Sequence, residues 1–344
     1  MWPIGRGGEA KREPSVGEVP KTRARRRNLR LALALVLLSP LVGEYLLGNT
    51  PITELAALLL FAPMYGAGAL LIRETARRTG RGWPAMILFA AAYALLEEGP
   101  IDMMLWNPHY GGEDLAAAYP GTAIPFLDTS GLLLQDVFAV HTIWSISVPI
   151  AIMETFSADP ARPWLGRKGL TVTAVIFVLA TPLLSAMQIA ESKFVATSVE
   201  LAWCTVAIVA LIVAGLVAGR RTAARRAATA PRPWIVGVTA FTLTTLYFLR
   251  DSLPGSRWLT VAAGCALFAV GAVLCVRWSR SRGWDAAHRL AVAGGALLTY
   301  VWVGLLNSGN PIFGIGAIVL LFIAARRVRK TVRDERLVEY ANGL

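Results

Sequence analysis

Apolar residues run through this chain in long blocks rather than in alternation. The blocks fall at roughly 31–48, 53–72, 83–105, 131–154, 169–190, 197–219, 234–249, 258–276, 290–306 and 311–325. Most approach the ~20 residues that a helix needs to cross a hydrocarbon core. A soluble fold would break such runs into strands or shorter amphipathic helices. The pattern predicts an all-α, polytopic membrane bundle of about ten transmembrane helices. Only the block 234–249 is short for a span.

Basic residues orient these blocks. With ten spans and both termini in the cytoplasm, the inner segments are 1–30, 73–82, 155–168, 220–233, 277–289 and 326–344. They hold 31 of the 34 Lys and Arg, leaving Lys193, Arg250 and Arg257 outside. The positive-inside rule predicts this asymmetry, and losing one span would reverse every later loop. The expected organisation is a basic, disordered tail (1–30), a membrane bundle with polar content (31–190), an apolar scaffold-like bundle (197–325) and a basic tail (326–344). A plasma (inner) membrane location follows from the same reading.

Composition agrees. Hydrophobic residues make up 55% of the chain and charged ones 16%, and the mean hydropathy is +0.54. Ordinary soluble domains carry about a quarter charged residues. The net charge of +12 sits at the ends of apolar blocks, without interleaved aromatics, so anionic lipid headgroups rather than nucleic acid are the expected partner. Cys204, Cys265 and Cys275 lie inside apolar blocks and form no C-x-x-C pair, so they read as buried apolar residues.

Ionisable residues are unevenly spread. The first four blocks carry Glu44, Glu54, Glu97, Glu98, Asp102, Asp136, His141 and Glu154, whereas the last five carry only Glu200, near an end. Such groups inside a span are costly and usually face a partner, the bundle interior or water. At 1.5 Å per residue, Glu97 lies about 21 Å along its helix from the cytoplasm and His141 about 15 Å from the outside. Both therefore fall in the outer half of a core about 30 Å thick. The loop 106–130 adds His109, Glu113, Asp114 and Asp128 with no Lys or Arg. His109 and His288 read as loop residues. Gly99 and Pro100 should kink or end the third helix beside the two glutamates, because Pro100 lacks a donor and clashes with the carbonyl of Leu96.

Carboxylates crowded in low dielectric call for a proton or a cation between them. The expected site is Glu97, Glu98 and His141 as catalytic groups, with Glu98, Asp102 and His141 as ligands if a divalent metal takes part. Glu44, Glu54 and Asp136 are expected in support. This chemistry suits a hydrolase in which a carboxylate activates water on a peptide or small-molecule substrate. A proton- or cation-coupled transporter is the first alternative, because five plus five spans could form inverted repeats. A non-catalytic scaffold, with the polar residues serving interhelical hydrogen bonds, is the second.

Residues 83–155 resemble the CAAX-protease and bacteriocin-processing family of glutamate-type intramembrane proteases, whose patterns are E-E-x-x-x-R, F-x-x-x-H and H-x-x-x-N. Glu97 and Glu98 match the paired glutamate. Asp102 stands in the place of the arginine, Phe138 precedes His141 by three positions instead of four, and Ser145 takes the place of the asparagine. The resemblance implies Glu97 or Glu98 as the base and His141 as a water- or metal-binding residue.

Overall fold

The computed structural model describes residues 21–112, 114–218 and 227–341. The basic stretch 1–20 and Glu113 lie outside the described residues. Ten long helices follow one another: α1 (Arg23–Leu46), α2 (Ile52–Arg78), α3 (Trp83–Ile101), α4 (Gly131–Glu154), α5 (Arg167–Ser192), α6 (Ser198–Val217), α7 (Pro233–Leu249), α8 (Arg257–Ser279), α9 (Ala286–Ser308) and α10 (Ile312–Ala341). Eight are both long and apolar enough to cross a membrane. The others are α7, at 17 residues, and α10, whose apolar part runs into Arg326, Arg327 and Arg329. All ten expected blocks are thus helical. The only sheet among the described residues is a two-residue hairpin, β1 (Ala123–Ile124) with β2 (Thr129–Ser130), between α3 and α4.

The expected tails need correction. Helix begins at Lys21, so the described part of the 1–30 segment is ordered, and α10 carries the 326–344 segment in helix as far as Ala341. Arg residues favour helix almost as well as Ala or Leu, so an apolar span extends readily into its basic flank. His288 is likewise no loop residue. It is buried in the first turn of α9, where Asp285 and His288 form a capping box, and its Nε2 lies 2.9 Å from the Pro231 carbonyl. Glu200 does similar work with Thr197 at the start of α6.

The helices form an inner and an outer group. The central stretch of α3 is 72% buried and that of α4 61%, whereas those of α5, α6 and α8 are 11%, 17% and 11% buried. These outer helices present Val178, Leu179, Val206, Val213 and Val273 with nothing of the protein to cover them. Contiguous apolar surface of this extent belongs against lipid tails. Cys265 and Cys275 are on that exposed surface, contrary to the reading as buried residues; only Cys204 is buried.

The apolar second half is not a uniform scaffold. Its helix α9 packs into the inner group, where Trp144 of α4 stacks on Tyr300 with centroids 4.6 Å apart and donates Nε1–H to the Ala296 carbonyl at 2.8 Å. Arg250, counted as an outer loop charge, is buried and pairs with Asp136 of α4, while Tyr247 donates to the same carboxylate at 2.6 Å. Glycine permits close helix crossings: a side chain at Gly66 of α2 would run into the backbone of Val36 in α1, and one at Gly304 of α9 into that of Leu46 in α1.

Candidate functional site

Each of the first four helices widens into a π-helical segment: Leu41–Leu46 in α1, Ala62–Gly66 in α2, Glu97–Ile101 in α3 and Val140–Ser147 in α4. Such segments are rare and favour functional sites. A proline accompanies every one. Pro40 precedes the first, Pro63 and Pro100 lie within the second and third, and Pro149 follows the fourth. Each proline removes a ladder donor and crowds the carbonyl four residues back, so the local ladder opens. The expected break at Gly99-Pro100 therefore takes the form of a wide turn that continues through Ile101. The chain then reverses at Met103, which adopts a left-handed φ of 58°.

The freed carbonyls find a partner. The Ser39 hydroxyl lies 2.5 Å from the Ser145 carbonyl, the one displaced by Pro149, and 3.2 Å from the Tyr65 carbonyl. One buried hydroxyl thus ties α1 to the π-turns of α2 and α4. Irregular backbone inside a membrane bundle persists only with such internal satisfaction. Gly43 makes room at this junction, since a Cβ there would sit 2.8 Å from the Ser145 hydroxyl.

The widened turns bring the ionisable side chains together. His141 Nδ1 lies 2.9 Å from Glu97 Oε2, and its Nε2 lies 2.7 Å from Glu98 Oε1. One imidazole is held between two carboxylates from adjacent residues. All three side chains are buried, Glu97 at 0% exposure, and none is a solvated group at a helix end. The contact to Glu97 is near in distance but out of line for an N–H···O bond. Among the described residues, both Glu97 oxygens and Glu98 Oε2 have no hydrogen-bond partner. Unmatched buried carboxylate oxygens are expensive and usually mark a place where another molecule or proton is handled.

Tyrosines complete the surroundings. Tyr65 donates to Glu44 Oε1 at 2.5 Å, and its ring centroid lies 5.9 Å from that of His141. Tyr93, one helical turn before Glu97, packs 6.1 Å from Tyr65, with its hydroxyl buried and unpartnered among the described residues. Asp102 accepts from Tyr110 at 3.0 Å. Outside the spans, burial first and then the Asp102 charge push the Tyr110 hydroxyl well above the usual tyrosine range, so it stays a neutral donor.

Several expected members are elsewhere. Glu54 is exposed, on a 3-10 turn at the start of α2, and offers only its carbonyl, to Tyr45. Asp136 is committed to Arg250 and Tyr247. Asp102 faces Tyr110, so Glu98, Asp102 and His141 do not form a ligand set. No group of three or more His, Cys, Asp or Glu among the described residues is arranged to hold a metal ion. His141 Nε2 is engaged by Glu98, while its Nδ1 lies beside Glu97 without a hydrogen bond. A divalent ion does not fit these residues as they stand. His109 is exposed in the loop, as expected.

Tyr65, Tyr93 and Ser39 were not singled out by sequence. The spacing of Tyr93 and Glu97, four residues apart and so on one helix face, was the available signal.

The sequence model of an uncharacterized membrane protein family matches residues 33–341. The chain belongs to that family. The match begins within α1, before the first π-turn, and ends with α10, so it includes every residue of the candidate site. No curated protein and no solved structure matches the chain.

Proposed function

We propose that this family member is a membrane-embedded hydrolase that cleaves a peptide bond with Glu97, Glu98 and His141. The observation that carries the reading is the pair of buried carboxylates meeting one imidazole from both sides, with carboxylate oxygens left unmatched. A carboxylate of this kind can take a proton from water as the water oxygen attacks a carbonyl carbon. His141 touches both carboxylates and can pass that proton to the departing amine. Tyr65 and Tyr93 keep the site apolar at its edge and supply neutral hydroxyls near it. The resemblance to glutamate-type intramembrane proteases points the same way. It extends to the paired glutamate and the histidine, and not to a metal.

The transporter alternative draws on inverted halves. Among the described residues the π-turns and the triad come from α1–α4 alone, and Glu200 and His288 of the later helices are spent on helix caps, which favours hydrolysis. The test is a comparison of membrane peptides from cells producing the wild-type protein, Glu98→Gln or His141→Ala. Cleavage products should be present for the wild type and fall by about 10²–10⁴-fold in the variants, the range of a general base. Identical peptide profiles for all three proteins, at equal amounts in the membrane, would defeat the reading.

A further inference from the structure

A cleft of about 280 Å³ lies between the segment that leaves α3 and the hairpin that enters α4. Its walls include Trp106, Leu115 and Leu133, and its polar groups include Asn107, Thr129 and Asp128. Small-molecule sites begin at about 300 Å³, so the space suits a fragment the size of one residue rather than a large ligand.

Two of its polar groups are without partners. Asn107 is 3% exposed and Thr129 8% exposed, yet Asn107 Nδ2 and Thr129 Oγ1 have no hydrogen-bond partner among the described residues. The amide orientation of Asn107 is fixed by its other end, because Oδ1 accepts from the His109 backbone N–H at 3.0 Å. Nδ2 is therefore an obligatory donor. Thr129 can accept as well as donate. A donor and a group able to accept on the walls of one cleft are the complement of one peptide unit, which presents a carbonyl and an N–H. A lipid ester offers acceptors only.

Charge narrows the class further. No Lys or Arg occurs from 106 to 130, and Asp128 lies on the cleft in a left-handed conformation with φ 51°. Arg257 approaches at Gly121, but its guanidinium is directed to Asp251. An anionic headgroup is poorly matched to this lining. Tyr119, also on the cleft, is kept neutral: burial, with Asp136 and Asp251 adding to it, moves its hydroxyl above the usual tyrosine range.

The cleft is joined to the triad by backbone. Leu105 N–H donates to the Glu98 carbonyl at 3.2 Å, and Asp102 N–H donates to the Glu97 carbonyl at 2.8 Å. Trp106 donates Nε1–H to the Leu127 carbonyl at 3.2 Å, which ties the hairpin turn to the same segment.

We infer that this cleft binds one uncharged, apolar residue of a peptide, with the peptide carbonyl accepting from Asn107 Nδ2 and the peptide N–H donating to Thr129 Oγ1. The inference rests on the hydrolase reading for its meaning as a substrate subsite, and the binding itself can be measured apart from cleavage. The probe is acetyl-leucine methylamide carrying a diazirine in its side chain, cross-linked to the full chain in detergent micelles and mapped by mass spectrometry. The matching diester, with oxygen in place of both N–H groups of the probe, lacks every peptide N–H.

Labelling should concentrate on Leu105–Asn107 and Thr129–Leu133, and the ester should label roughly fivefold less, the effect of one lost hydrogen bond. Asn107→Asp keeps the contact to His109 and removes the donor, so labelling should fall by a similar roughly fivefold factor. Thr129→Val should erase the difference between amide and ester. Glu98→Gln should leave labelling unchanged while abolishing cleavage. Labelling retained without any wild-type cleavage would overturn the hydrolase reading and leave the binding site standing. Labelling elsewhere, equal labelling by amide and ester in the wild-type protein, or displacement by phospholipid vesicles and not by unlabelled peptide would overturn the inference. The amide–ester comparison needs no variant, so it decides the matter even where a substitution impairs folding.

Discussion

Two buried clusters of ionisable side chains occupy α2–α4, and they differ in how completely they are satisfied. At the end of α2, Arg73 and Glu74 are fully buried, and Glu154 of α4 nearly so. Glu74 accepts from Arg73 at 2.8 Å and from the backbone N–H groups of Trp164 and Leu165 at 2.7 and 3.1 Å. Glu154 accepts from Arg73 and twice from Arg77. Arg73 spends its remaining donors on the Pro160 and Arg162 carbonyls and covers the Trp164 ring at 3.5 Å. Every charge there has a counter-charge and every donor an acceptor. At the triad, two carboxylates share one imidazole and three oxygens are unmatched. The first arrangement pins a loop to two helices. The second holds unused hydrogen-bonding capacity in the bundle interior, which is what a site for chemistry requires and a packing cluster does not.

That difference can be tested by removing one member of each cluster. Arg73→Ala should have the largest effect on stability, about 3–5 kcal/mol, because it removes the one fully buried cation shared by Glu74 and Glu154. Thermal unfolding in detergent would read it as a lower midpoint. Glu98→Gln should cost activity by about 10²–10⁴-fold while moving stability by less than about 1 kcal/mol. If it instead lowers the unfolding midpoint as far as Arg73→Ala, the triad is a packing cluster like the other. Arg250→Met, which removes the ion pair with Asp136 and leaves the Tyr247 hydrogen bond in place, should fall between the two in stability, at about 2 kcal/mol for a charged hydrogen bond. Ser39→Ala should cost about 1 kcal/mol in the same unfolding measurement, less than Arg250→Met.

Hydropathy and loop charge made the ten helices legible, because block length and flanking Arg are properties of the chain taken in order. The uneven acid content pointed, for the same reason, to the helices that bring Glu97, Glu98 and His141 together. Register was another matter. In an ordinary α-helix, neighbours such as Glu97 and Glu98 face different ways. Both reach His141 because the ring lies between them and the turn is widened. That width follows from carbonyls displaced by Pro40, Pro63, Pro100 and Pro149, whose sum is not a periodicity. Arg73 was counted among cytoplasmic loop charges and Glu74 was not singled out, since nothing local shows that the 155–166 segment folds back over them. Glu54 and Asp136 were misplaced because depth along a helix does not reveal direction around it.

A π-turn is an α-helix with one residue too many, and this has a genetic consequence. Deleting a single residue within any of the four segments would restore ordinary helix and swing everything beyond it by about 100°. The spans would keep their length, hydropathy and flanking charge. Length variation by one residue should therefore be tolerated in the outer helices α5, α6 and α8, and rejected at four narrow places in the inner ones. A deletion scan along the chain would locate the working part of the molecule without any knowledge of its substrate.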